Sequence, residues 1–89
     1  IAEKNLSRAI NLSPNPVNQE VEIKVHSPLM GKYQLWLINA QGQRFSLIHG
    51  IKTKAVLKER LQLQHYPAGV YQVLVELAQQ KGVTKLVKQ

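Results

Sequence analysis

The chain contains neither cysteine nor aspartate among its 89 residues. Without cysteine there are no disulfides, no thiol nucleophile and no thiolate zinc site. The compartment stays open, because an oxidising one permits disulfides without demanding them. Without aspartate, the usual orienting partner of a serine–histidine triad is missing, and Ser7, Ser13, Ser27 and Ser46 lie in no nucleophile-elbow pattern. The 5 acidic residues are isolated glutamates, so no pair is set for general acid/base work. His26, His49 and His65 lack metal-ligand spacing and read as surface histidines. There is no glycine-rich phosphate loop and no run of about 18 apolar residues that would span a bilayer. The expectation is a domain that is not an enzyme and carries no cofactor.

Positive charge is what the chain has in excess: 12 Lys and Arg give a net charge of +7. A surplus of this size favours anionic partners. Lys4, Arg8, Lys24, Lys32, Arg44, Lys81 and Lys88 are scattered, however, and only Lys52, Lys54, Lys58 and Arg60 cluster. The favoured reading is a solvated surface that keeps a small domain soluble. Nucleic-acid binding would call for aromatics interleaved with basic residues on one sheet face. Trp36, the candidate platform, is flanked by Leu35, Leu37 and Ile38, so packing is the better reading and no nucleic-acid partner is expected.

Period-two alternation dominates. Val21, Ile23 and Val25 alternate with Glu20, Glu22, Lys24 and His26; Tyr71, Val73, Val75 and Leu77 alternate with Gln72, Leu74 and Glu76. Each pattern is a strand with one face buried and one wet. Segment 33–39 is apolar on both sides, Tyr33, Leu35 and Leu37 against Trp36 and Ile38, which predicts a central strand covered on both faces. Further strands are expected at 6–13 (Leu6, Ile10 and Leu12 inward, interrupted by Arg8), at 43–49 (Phe45 and Leu47 against Arg44, Ser46 and Ile48) and at 82–88 (Val83 and Val87 against Leu86). Residues 53–64, TKAVLKERLQLQ, fit either a helix face or a strand face with Glu59 intruding. In this all-β setting the expectation is a loop or short strand to Lys58, then a strand at 60–64.

Turn signals punctuate these runs. They are Pro14-Asn15-Pro16, Ser27-Pro28 with Gly31, Asn39-Ala40-Gln41-Gly42, Pro67-Ala68-Gly69 and a last hairpin at Gln79-Gln80-Lys81-Gly82. Short strands with turns about every 10 residues predict an all-β sandwich of about seven antiparallel strands. A chain this short buries roughly 60–65% of its unfolded surface, which leaves little room for a deep cleft. It starts at Ile1 rather than Met, which reads as a piece of a longer protein with any signal peptide upstream.

Four short signatures occur in order: Leu12-Ser13-Pro14-Asn15-Pro16; Gly31-Lys32-Tyr33-Gln34-Leu35 running to Asn39-Ala40-Gln41-Gly42-Gln43-Arg44; Leu63 to Tyr66 followed by Pro67-Ala68-Gly69-Val70-Tyr71; and Lys85-Leu86-Val87-Lys88 before Gln89. This layout resembles the type A C-terminal sorting domain of the type IX secretion system of Bacteroidota, over about residues 10–89. Asn39 stands where that family usually has Asp, and Tyr66 where it often has Leu; both keep the local role in turn and packing.

The resemblance implies an immunoglobulin-like β-sandwich at 10–89. Residues 1–9 would then be the end of an upstream linker and the start of the first strand. It implies a covalently attached N-terminal passenger, outer-membrane type IX translocon components as partners, and in many relatives a sortase-like signal peptidase, whose cut would fall in or before 1–9. The implied route is the periplasm, then the outer membrane and cell surface or the medium. Lys85, Leu86, Val87, Lys88 and Gln89 are expected to present a recognition strand. Pro14, Asn15, Pro16, Gly31, Gly42, Gly69 and Tyr71 are expected to hold the fold. Open sheet edges would let two copies pair as a homodimer. The alternative is an immunoglobulin-like accessory or adhesion module that binds glycan or protein.

Overall fold

The computed structural model describes residues 6–14 and 18–89. Among these residues, a 3₁₀ turn at Ser7–Ala9 leads into seven strands: β1 (Ile10–Ser13), β2 (Glu20–His26), β3 (Gly31–Ile38), β4 (Arg44–Lys52), β5 (Val56–Gln62), β6 (Gly69–Leu77) and β7 (Gln80–Lys88). They form two antiparallel sheets, one of three strands in the order β1-β2-β5 and one of four in the order β4-β3-β6-β7. This is the expected sandwich. Its core is the alternating residues of both inner faces, among them Val21, Ile23 and Val25 from β2, Leu35 and Leu37 from β3, Val73, Val75 and Leu77 from β6, and Leu86 from β7. Burying such side chains is the main favourable term in folding, at about 25 cal/mol per Å² of apolar surface.

Several boundaries differ from expectation, each for a physical reason. Segment 53–64 is one strand, β5, which starts at Val56 and ends at Gln62. Its register with β2, Val25 opposite Leu57 and Val21 opposite Leu61, holds it extended against its helix-forming composition. The first strand is shorter than 6–13. Leu6 is buried, but Ser7–Ala9 form the 3₁₀ turn, and Arg8 leaves the face by that turn rather than interrupting a strand. In β4 the pairing passes from Trp36–Ser46 to Leu35–Ile48, so Leu47 is an extra residue. That bulge switches Ile48 to the inner side, where parity had placed it outside. The last hairpin turns at Ala78–Gln79, not at residues 79–82. Gly82 lies inside β7.

The predicted turn chemistry is present elsewhere. Asn39 Oδ1 accepts the amides of Gln41 (3.0 Å) and Gln43 (2.9 Å), and Gly42 closes the hairpin at φ +85°. Gly31 and Gly69 also have positive φ. Pro14 is exposed in a bend directly after β1, joined to Ser13 by a cis peptide; Asn15 and Pro16 lie outside the described residues. Tyr71, at the start of β6, is buried and donates its hydroxyl to the carbonyl of Pro67, 2.5 Å away. A tyrosine that reaches back to backbone a few residues upstream of this strand is the tyrosine corner of immunoglobulin-like sandwiches. Tyr66 packs edge-on between Phe45 (5.5 Å) and Tyr71 (6.5 Å), as expected of a residue closing the sandwich end.

Candidate docking surface

The expected recognition segment is the end of β7. Register places its side chains on two different sides. Leu86 lies opposite Tyr71 and Lys88 opposite Gly69, both on the inner side; Lys85 lies opposite Gln72 and Val87 opposite Val70, both on the outer side. Leu86 is fully buried in the core and is therefore not offered to a partner. The pattern of two displayed apolar side chains thus reduces to one, Val87, which is half-buried; Lys85 and Gln89 are exposed.

The first described residues close part of the β7 edge. The Leu6 amide donates to the Lys81 carbonyl at 2.9 Å, and Ser7 Oγ accepts the Val83 amide at 2.9 Å. The approach is close enough that a Cβ on Gly82 would lie 2.6 Å from the Leu6 carbonyl carbon, which explains a glycine inside this strand.

The basic cluster of the sequence is not a single patch. Lys52 is only 2% exposed, and its ammonium donates to the carbonyls of Ser27 (2.6 Å), Leu29 (2.9 Å) and Lys54. The bulge in β4 turns Lys52 inward, where it ties the β2–β3 loop to the end of β4. Lys58 and Arg60 lie on the outer face of the three-stranded sheet. On the opposite side of the core, the intruding Glu59 of β5 accepts the Tyr33 hydroxyl from β3 at 2.5 Å. Burial, then the hydrogen bond to Glu59 and its negative charge, push the Tyr33 hydroxyl up to about 12. An inward glutamate needs such a partner; the sequence showed Glu59 intruding on the strand face but gave no sign of Tyr33 as its partner.

His26, His49 and His65 are all exposed, and the described residues contain no cluster of three metal-ligating side chains. No helix among them is long and apolar enough to cross a membrane. Trp36 is on the outer face of the four-stranded sheet, half-buried. Its ring nitrogen donates to Glu76 at 2.8 Å, and the Arg44 guanidinium lies 5.9 Å from the ring centre. β3 is the central strand predicted, but only its inner face is covered by the second sheet; neighbouring side chains shield the outer one in part.

The decisive comparison is with known families. The family model of the secretion system C-terminal sorting domain matches residues 11–89. The chain belongs to that family. No curated protein sequence matches the chain. A sorting domain of the type IX system is a signal borne by an exported protein. Membership implies attachment to a passenger, contact with the secretion machinery, and export through the periplasm to the cell surface or beyond.

Proposed function

We propose that this domain is bound rather than reactive. It carries an N-terminal passenger to the outer-membrane type IX translocon, a sortase-like peptidase separates the two upstream of β1, and β7 is the strand the machinery reads. The observation that supports this most is the family match running through β7 to Gln89. The geometry adds a division of labour within the strand: Leu86 anchors β7 in the core while Lys85, Val87 and Gln89 face outward or stand exposed. The contact of Leu6 and Ser7 with β7 is consistent with an upstream cut on the same side of the fold as the terminal strand.

The test is deletion of Lys85–Gln89 from the full-length precursor in cells with an active type IX system. The passenger is expected to accumulate in the periplasm, with surface and medium levels reduced at least tenfold. Because the deletion removes the Leu86 anchor, a second precursor with Lys85→Ser, Val87→Ser and Lys88→Ser keeps the core and is expected to show the same retention. Passenger reaching the surface at normal levels from both precursors would rule out reading of the terminal strand.

A further inference from the structure

The two sheets present very different outer faces. On the three-stranded sheet, register sets Asn11 and Ser13 of β1 beside Glu20, Glu22, Lys24 and His26 of β2, and these beside Gln62, Arg60, Lys58 and Val56 of β5. That face is polar, and four of its charges are paired locally, Arg60 with Glu20 at 3.0 Å and Lys24 with Glu22 at 3.6 Å. The four-stranded sheet places Trp36, Leu74 and Val83 in one row, flanked by Ile38 and by Val70 with Val87. Of the four large apolar residues that stand exposed in the described structure, three lie on this face: Ile51 (66%), Val70 (51%) and Val83 (38%). Among the described residues, Lys32, Arg44 and Lys81 flank the apolar row, against one carboxylate, Glu76, which already holds Trp36 and Lys81. His49 also lies on this face.

We propose that this outer face of β4-β3-β6-β7, centred on Trp36, Leu74 and Val83 and flanked by Lys32, Arg44 and Lys81, docks on an acidic protein surface of the secretion machinery. The inference rests on the sorting role above and widens the recognition element from the β7 end to the sheet that contains it. An apolar centre with a tryptophan and an arginine inside a polar rim is the anatomy of a protein interface. The sign of the rim selects the partner: unbalanced cations are satisfied by carboxylates across the contact. A second copy of this face would oppose cation to cation, which argues against self-pairing here. A lipid surface suits it less, because the middle of the apolar row does not project. Leu74 is only 5% exposed, and Trp36 is pinned within the sheet by Glu76 and Arg44.

The experiment compares full-length precursors for passenger delivery, with thermal melting and protease resistance of the sorting domain as the check on folding. Lys32→Glu with Arg44→Glu, and separately Val70→Ser with Val83→Ser, are expected to lower surface delivery at least tenfold in folded protein. Lys32→Arg with Arg44→Lys, and the reversal Lys24→Glu with Lys58→Glu on the other sheet, are expected to stay within twofold of the unaltered chain. Normal delivery by the folded face variants would overturn the proposal. If deletion of Lys85–Gln89 still blocked delivery, the sorting role would stand and only this surface would fall. Two further measurements exclude other occupants. In purified precursor, a cysteine replacing Val83 is expected to react with a maleimide, read on the peptide that contains it; protection would mean that the passenger or a second copy already covers the face. Flotation with phosphatidylglycerol vesicles is expected to leave the protein unbound, and binding that the Lys32→Glu, Arg44→Glu pair abolishes would assign the face to lipid instead.

Discussion

The three-stranded and four-stranded sheets are built from the same alternation, yet they differ in their outward residues and in how each answers a charge turned into the core. The smaller sheet ends in water: its outer residues are mostly polar, with Arg60 paired to Glu20 and Lys24 to Glu22, and its inward charge, Glu59, is answered by the Tyr33 hydroxyl from across the core. The larger sheet keeps Leu74 and half of Trp36 out of water on its outer side, and its buried charge, Lys52, donates to three carbonyls. Burial in this thin sandwich therefore does not stop at the layer between the sheets. One outer face is partly built as an interior, and a sorting domain has a use for a surface that another protein can complete.

That contrast can be tested by substitution. The largest effect is expected at Lys52. Lys52→Met removes the donor from three carbonyls and leaves them in an apolar setting, at a cost of about 3 kcal/mol. The corresponding Lys58→Met on the other sheet is exposed and is expected to change stability by less than about 0.5 kcal/mol, both measured by denaturant unfolding. Equal effects would mean that the inward lysine is not the tie described here.

Next comes the outer face itself. Leu74→Ala is expected to cost about 2 kcal/mol, within the range of buried leucine truncations. Lys24→Ala, facing outward at the centre of the three-stranded sheet, should cost less than about 0.5 kcal/mol. A negligible loss at Leu74 would erase the distinction between the faces.

The smallest effect concerns the inward glutamate. Tyr33→Phe removes the donor from Glu59 and is expected to cost about 1 kcal/mol at neutral pH. The pH dependence is more specific. The hydroxyl is raised from 10.0 to about 12 in the folded protein, so the unfolded chain loses its proton first as pH rises. The stability this group contributes is therefore complete below pH 10 and declines between pH 10 and 12. Lysines titrate in the same window, so the signature is a difference: the decline should be shallower in Tyr33→Phe than in the unaltered protein. Identical slopes would contradict the raised hydroxyl.

Much of this fold was legible in the sequence because a half-buried strand writes its two faces into alternate residues. Val21, Ile23 and Val25 read inward and are inward; Gly42 and Asn39 read as a hairpin and form one. The end of the sandwich was readable too, through Pro67-Ala68-Gly69 and Tyr71, although the Tyr71–Pro67 hydrogen bond was not. What escaped depends on single-residue offsets or on contacts distant in sequence. The bulge at Leu47 carries no sequence mark, yet it reverses parity for the rest of β4 and so decides that Lys52 is buried. The Leu6–Ser7 closure over Gly82 joins residues far apart in the chain, and periodicity contains no such information. Within the expected recognition segment, alternation correctly separated Leu86 from Val83 and Val87. It did not reveal that Leu86 is fully buried, because that follows from its position opposite Tyr71.

The most direct test of the sorting role is transfer. Residues 1–89 are fused behind a periplasmic reporter and expressed in a type IX-competent bacterium and in the same strain lacking the translocon, with reporter measured on intact cells, in the medium and in the periplasm. The account predicts reporter at the surface or in the medium of competent cells, and reporter confined to the periplasm when the translocon is absent. Reporter that stays in the periplasm of competent cells while the domain is folded, or that leaves both strains equally, would contradict it.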